Sequence, residues 1–218
     1  MTDAPRILGF DTSGPWLGTA VFRDGDVVAA HHLDLAKGQA ERLMPTILET
    51  LDEAGLAPAD LHAIGVGTGP GNFTGTRISV AAARGLALGL GVPAIGVSLF
   101  DALALDAPRP VLALLTAPRD RLYLQRYGTA GPEGAAEMIE RTALGDQLRP
   151  GDTLVGHDSQ ALAAQLGARH VPAAFAPASA IARIAVERLG TDGPRPAPIY
   201  LRPADAATAS DPPPRILP

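Results

Sequence analysis

The stretch that most constrains this chain runs from Gly65 to Gly91, GVGTGPGNFTGTRISVAAARGLALGLG. Ala63 to Gly67 is a short apolar run bounded by glycine, which predicts a buried strand. Thr68 to Gly75 then gathers Gly69, Pro70, Gly71 and Gly75 around Asn72, Phe73 and Thr74. A backbone free of Cβ atoms at these points can turn sharply and lie close against another group. Thr76 to Leu90 reads as a helix, with Asn72 or Thr74 placed to cap it. A strand, a glycine turn and a helix in that order make one βα unit, and the rest of the chain must pack around it.

The predicted helix has an unusual flank. Ala81, Gly85 and Gly89 recur every four residues, so they share one side, with Ile78, Ala82, Leu86 and Leu90 beside them. A glycine inside a helix costs roughly 0.8–1 kcal/mol relative to alanine. Two on one stripe imply close approach by a neighbour. That neighbour is either the protein's own sheet or a helix of another subunit, and the pattern allows both. The glycine turn also offers N–H groups to a phosphate at a helix N-terminus, with Gly69 and Gly71 as contacts. It matches neither G-x-x-x-x-G-K-[ST] nor G-x-G-x-x-G, so the phosphate signal is weak.

Upstream, Arg6 to Phe10, Leu17 to Phe22 and Val27 to Leu33 read as three strands, the last two joined by Asp24-Gly25. The first turn holds Asp11, Thr12 and Ser13. These could meet a nucleotide phosphate, with the carboxylate holding Mg²⁺ through water. The residue pattern by itself favours the plainer reading, in which they bond their own backbone as ordinary turn residues. Gln39 to Ala54 is an amphipathic helix with apolar residues at Leu43, Met44, Ile47, Leu48 and Leu51. Pro45 inside it predicts a kink or a late start. After the glycine-rich helix come a strand at Pro93 to Val97 and a helix to Leu105 capped by Ser98.

Pro108 and Pro110 mark a boundary, and the order then repeats in reduced form. Strands are expected at Val111 to Leu115, Leu122 to Tyr127 and Ala135 to Ile139, then a short helix at Thr142 to Leu148. A strand at Thr153 to Gly156, a helix at Ser159 to Leu166, an edge strand at His170 to Val171 and a helix at Ser179 to Leu189 capped by Ser179 follow. Two halves in the order β-β-β-α-β-α suggest an internal duplication whose second half lacks an equivalent of the glycine-rich helix. The expected division is an N-terminal lobe over 1–105, a reduced C-terminal lobe over 106–202 and a mobile proline-rich tail over 203–218.

Composition excludes several chemistries. With no cysteine there is no disulfide, thiolate nucleophile or Cys-ligated metal. The five histidines, His31, His32, His62, His157 and His170, form no H-x-x-x-H pair, and no G-x-S-x-G occurs. Neither a catalytic residue nor a metal site is therefore assigned. A net charge of −5 argues against a freestanding nucleic-acid binder, so any nucleic acid would be gripped through a partner. No apolar run is long enough to span a membrane and no secretory leader is evident, so the expected compartment is the cytoplasm.

These motifs resemble the TsaB (YeaZ) family, the dimerisation subunits of bacterial machinery that makes threonylcarbamoyladenosine at position 37 of tRNA. The likeness rests first on Gly67-Thr68-Gly69-Pro70-Gly71-Asn72-Phe73-Thr74-Gly75-Thr76-Arg77, similar to the family's G-x-G-P-G-S-F-T-G-x-R. Ile7 to Ser13, Glu41-Arg42-Leu43-Met44-Pro45, Gly85 to Leu88, Gly96-Val97-Ser98 and Pro198-Ile199-Tyr200-Leu201-Arg202 extend it. The resemblance implies an α/β fold of the actin/Hsp70/sugar-kinase (ASKHA) type in two lobes. It implies a non-catalytic subunit that partners and activates TsaD, joined by the ATPase TsaE, and that forms a homodimer when alone. tRNA would be met only through the complex. No cofactor is implied for this chain alone, with nucleotide reserved for the TsaD interface. The partner surface implied is Leu43, Ile47 and Leu51 of the first helix with Ile78, Ala81, Ala82, Gly85 and Gly89 of the second. Alternatives are a small-molecule phosphotransferase or ATPase of the same fold and, further off, a metallopeptidase. Thr116-Ala117-Pro118-Arg119-Asp120-Arg121 stands where relatives read D-A-R-x-G-E, which weakens any case for ATP or Mg²⁺.

Overall fold

The computed structural model describes residues 4–201; the proposed tail at 203–218 and Arg202 of the terminal motif lie outside them. Two five-stranded mixed sheets form the frame. The first holds β1 (Ile7–Asp11), β2 (Trp16–Arg23), β3 (Asp26–Asp34), β4 (Ala63–Gly67) and β5 (Ala94–Val97), in the order β3-β2-β1-β4-β5. The second holds β6 (Val111–Ala117), β7 (Arg121–Gly128), β8 (Gly131–Glu140), β9 (Thr153–Gly156) and β10 (Arg169–His170), in the order β8-β7-β6-β9-β10. The two orders are the same pattern, an antiparallel meander followed by two parallel strands. The duplication read from element order is thus present in the topology.

The helices are α1 (Gln39–Glu53), α2 (Phe73–Leu90), α3 (Leu99–Ala104), α4 (Leu144–Gln147), α5 (Ser159–Leu166) and α6 (Pro177–Glu187). The second half does contain a counterpart of the glycine-rich helix, contrary to the sequence reading. α5 joins β9 to β10 as α2 joins β4 to β5, but with 8 residues instead of 18. The helix itself was expected at Ser159 to Leu166; its equivalence to α2 shows only in the strands that it joins, because a two-turn helix carries no glycine stripe. α1 runs unbroken from Gln39 through Pro45, so there is no late start. The final helix is not capped by Ser179. Its N-cap is Ala176 and Pro177 opens the first turn, where a missing N–H costs nothing.

Alternation along β1 explains why it is buried on both faces. Leu8 and Phe10 pack with Leu17, Val21, Ile64 and Val66 against Leu43, Ile47, Val80 and Ala83 of α1 and α2. Ile7 points the other way, with Ala20 and Ala63, toward Ala178, Ala182 and Ala185 of α6. α6 approaches very closely. A Cβ on Gly9 would lie 2.7 Å from the Ala178 carbonyl oxygen, and one on Gly65 2.8 Å from the Ala185 Cβ. Small residues on helix and strand together set this spacing. The last helix of the chain therefore completes the first sheet. α3, from the first half, packs instead with Val111, Ala113, Tyr123 and Tyr127 of the second sheet.

Candidate partner-binding face and interlobe cleft

α2 begins where Asn72 caps it, its side-chain oxygen accepting N–H bonds from Thr74 and Gly75 at 3.0 Å each. Gly75, Thr76, Ser79, Val80, Ala83 and Ala87 face inward. Ala81, Gly85 and Gly89 lie on the outside, and a Cβ on either glycine would meet nothing within 4 Å. The stripe is open surface, so packing against the protein's own sheet is excluded. Leu88 beside it is 85% exposed. Ile78 and Ala82 are half-buried at its margin, packed partly against the core.

The α1 residues assigned to a partner need correction. Leu43, Ile47 and Leu51 are each 2% exposed and belong to the core under the first sheet. The outward apolar residues of α1 are Met44 and Leu48, 39% and 51% exposed. These sit one position on, a rotation of about 100° around a helix of 3.6 residues per turn. The amphipathic pattern located the apolar stripe correctly, but the sheet claims its centre and leaves only the edge. α1 and α2 touch each other, so Met44, Leu48, Ala81, Gly85 and Leu88 lie on adjoining outer faces.

The glycine turn packs against the first turn of the chain. A Cβ on Gly75 would lie 1.9 Å from the Thr12 carbonyl oxygen, and one on Gly71 2.3 Å from that of Ser13. The Ser13 carbonyl accepts the Asn72 N–H at 2.6 Å, and the Thr12 hydroxyl donates to the Gly75 carbonyl at 2.7 Å. Asp11, Thr12 and Ser13 are buried. The Asp11 Oδ2 accepts the Ser13 hydroxyl at 2.9 Å, the Ser13 N–H at 3.2 Å and the Trp16 indole N–H at 2.8 Å. Its Oδ1 is buried without a hydrogen-bond partner. Burial pushes the carboxyl above its ordinary range, against the pull of the Ser13 and Trp16 donors.

Above this turn the two halves meet at a cleft of about 430 Å³ lined by Ser13, Trp16, Asn72, Thr116, Tyr123 and His157 among others. The Trp16 ring meets His157 edge-on at 5.6 Å. The His157 Nδ1 lies 3.0 Å from the Thr116 hydroxyl, and burial holds the imidazole below its ordinary value. The turn between β6 and β7 carries Arg119 and Asp120 at φ 63° and 55°. The left-handed backbone that the family's glycine would favour is kept here by other residues.

Comparison with known proteins decides the family. A family model described as TsaD, tRNA N6-adenosine threonylcarbamoyltransferase, matches residues 34–174. The tRNA threonylcarbamoyladenosine biosynthesis protein TsaB of Escherichia coli is 37% identical over 128 residues, 56% of this chain and 54% of that protein. TsaB of Bacillus subtilis is 36% identical over 124 residues, with the same coverage. The chain belongs to the TsaB/YeaZ family. The match spans about half the length of these curated relatives. A Pseudomonas aeruginosa structure described as similar to peptidase YEAZ superposes with a TM-score of 0.74 at 25% identity, covering 91% of this chain and 100% of the other. The 2-hydroxyisocaproyl-CoA dehydratase activator of Clostridium difficile, solved with ADPNP, has a TM-score of 0.57 at 11% identity over 84% of this chain and 95% of its own, which establishes the shared ASKHA-type fold.

In this member of the TsaB/YeaZ family the residues do not fit a magnesium nucleotide. Asp11 spends Oδ2 on three protein donors and buries Oδ1, while Thr12 and Ser13 turn their hydroxyls inward. Gly69 and Gly71 serve the packing of the turn on Ser13 and Thr76. Among the described residues no group of three His, Asp or Glu could hold a metal ion. Nor is any helix of those residues long and apolar enough to cross a membrane. The sequence missed Trp16, whose sole signal was an aromatic residue two positions after a glycine in a polar turn.

Proposed function

We propose that this chain is a non-catalytic subunit that forms a homodimer when alone and pairs with a TsaD-type subunit to support formation of threonylcarbamoyladenosine on tRNA. The carrying observation is the outer face of α1 and α2, where Met44, Leu48 and Leu88 stand exposed around a strip of helix backbone at Ala81, Gly85 and Gly89. Small residues let two helices approach with their backbones nearly in contact, and an exposed apolar rim makes burial of that face favourable. Neither feature serves the isolated chain. The TsaB/YeaZ relationship supplies the pathway, and the Asp11 geometry speaks against phosphoryl transfer by this subunit. Any nucleotide belongs at the interface with the TsaD-type subunit, and a TsaE-type ATPase joins the assembly. The two lobes, 1–105 and 106–202, act as one body in this role.

Reconstitution tests the reading. The purified chain should not transfer threonylcarbamoyl to tRNA, and should raise transfer when TsaD-type and TsaE-type subunits are added. Transfer or ATP turnover by the chain unaided would sink the proposal.

A further inference from the structure

The N-terminal end of α2 carries a cluster that the partner face as described does not use. Phe73 and Tyr200 are 45% and 48% exposed, with ring centroids 5.2 Å apart. The Arg77 guanidinium lies over Phe73 at 3.7 Å and faces Tyr200 at 5.7 Å. Its Nε–H donates to the Tyr200 hydroxyl at 2.8 Å. Two rings and one hydrogen bond thus hold an exposed arginine in place, and among the described residues no acceptor takes its two terminal amino groups. Arg84 stands two turns along the same exposed side, and among the described residues neither arginine forms an ion pair.

We propose that Arg77 is a preorganised carboxylate receptor, and that its occupant is an acidic segment of the protein subunit that docks on α2. This rests on the partner-face reading above. Ordering a long side chain on binding costs about 0.5–1.5 kcal/mol. Here the rings have already ordered it, and the planar end of the guanidinium matches a carboxylate in two parallel hydrogen bonds. Exposed Phe, Tyr and Arg together are the composition of an interface anchor. The site continues along α2 into Ala81 and Gly85, so one partner can cover both. Charge selects the class of partner. The neighbouring outer face of α1 carries exposed Glu41, Glu49 and Asp52, and the chain has net charge −5. A polyanionic phosphate backbone would be repelled by that overall charge along its length, whereas a single Asp or Glu side chain brings one charge to one arginine.

The test is isothermal titration of the purified TsaD-type subunit from the same organism into the whole chain, at low and high salt. Arg77→Gln should weaken binding about tenfold and flatten its salt dependence. Arg77→Lys should recover only part, since an ammonium neither stacks nor forks. Tyr200→Phe, which removes the hydrogen bond and keeps the ring, should give a smaller loss. Should Arg77→Gln fail to fold, the other two variants read the same contacts. If Gly85→Leu abolishes association while the Arg77 variants bind as wild type, the receptor is disproved and the partner face stands. If neither change matters, both fail. An Arg77 effect confined to tRNA binding, or to self-association measured by sedimentation, would also overturn the assignment.

Discussion

Asp11 carries two oxygens in different surroundings, one with three donors and one with none. Burial raises its pKa above the ordinary 3.8, so the folded chain holds this proton to higher pH than the unfolded chain. Stability from this group is therefore fullest below 3.8 and is lost as pH rises through the folded value. At neutral pH the buried charge is a cost. Asp11→Asn keeps an acceptor for the three donors and removes that charge, so its melting temperature at pH 7.5 should rise by a few degrees, about 2–4 °C per kcal/mol. A fall in calorimetry would show that the carboxylate is needed. His157 has the opposite sign. Burial lowers its pKa beneath 6.5, so its stability is present above 6.5 and is lost as pH falls through the folded value. Trp16 is the chain's one tryptophan and abuts His157, so its fluorescence reports the cleft. Unfolding midpoints followed by that emission should drop between pH 7.5 and 5.5, and His157→Gln should flatten the drop.

α2 shows how one helix serves two masters. Its inner residues, Val80, Ala83 and Ala87, close the core under the first sheet, and its outer residues leave backbone bare. Gly85→Leu adds a side chain into open space, so the isolated fold should keep its melting temperature or gain slightly from better helix propensity. The same change should leave the chain monomeric and unable to bind a TsaD-type subunit, read by light scattering and pull-down. Unchanged association would reject the face. The position of α2 and its Asn72 cap were legible because glycine, capping side chain and period are local signals. The orientation of α1 was not, because Leu43 and Met44 are equally apolar and only the sheet beneath decides which is buried. A two-residue edge strand such as β10 was misplaced by one position for a related reason, since pairing with β9 rather than its own pattern defines it.

The whole molecule is held together by crossed helices. α6 contacts β1, β2 and β4 of the first sheet, and α3 packs on β6 of the second. Cutting the chain at the sequence boundary thus strips each sheet of a cover. A fragment of residues 1–105 lacks α6 and should be unfolded or aggregated by circular dichroism and gel filtration, with fold restored when residues 106–201 are supplied in trans. A stably folded fragment would show that α6 is dispensable. Gly9→Val tests the same contact in the full chain. Its side chain meets α6 backbone at less than 3 Å, and overpacking of that kind costs about 1–3 kcal/mol or more. Local chemistry in the chain determined the strands, the Asn72 and Ser98 caps and the doubled order of elements, because each depends on residues near one another in sequence, and composition alone removed thiol chemistry. Tertiary structure alone decided which flank of α1 is exposed, that the glycine stripe faces outward, that Trp16 occupies Asp11, and that the last helix completes the first sheet. Those outcomes depend on which distant surfaces compete for the same side chain, and periodicity along a chain carries no record of that competition.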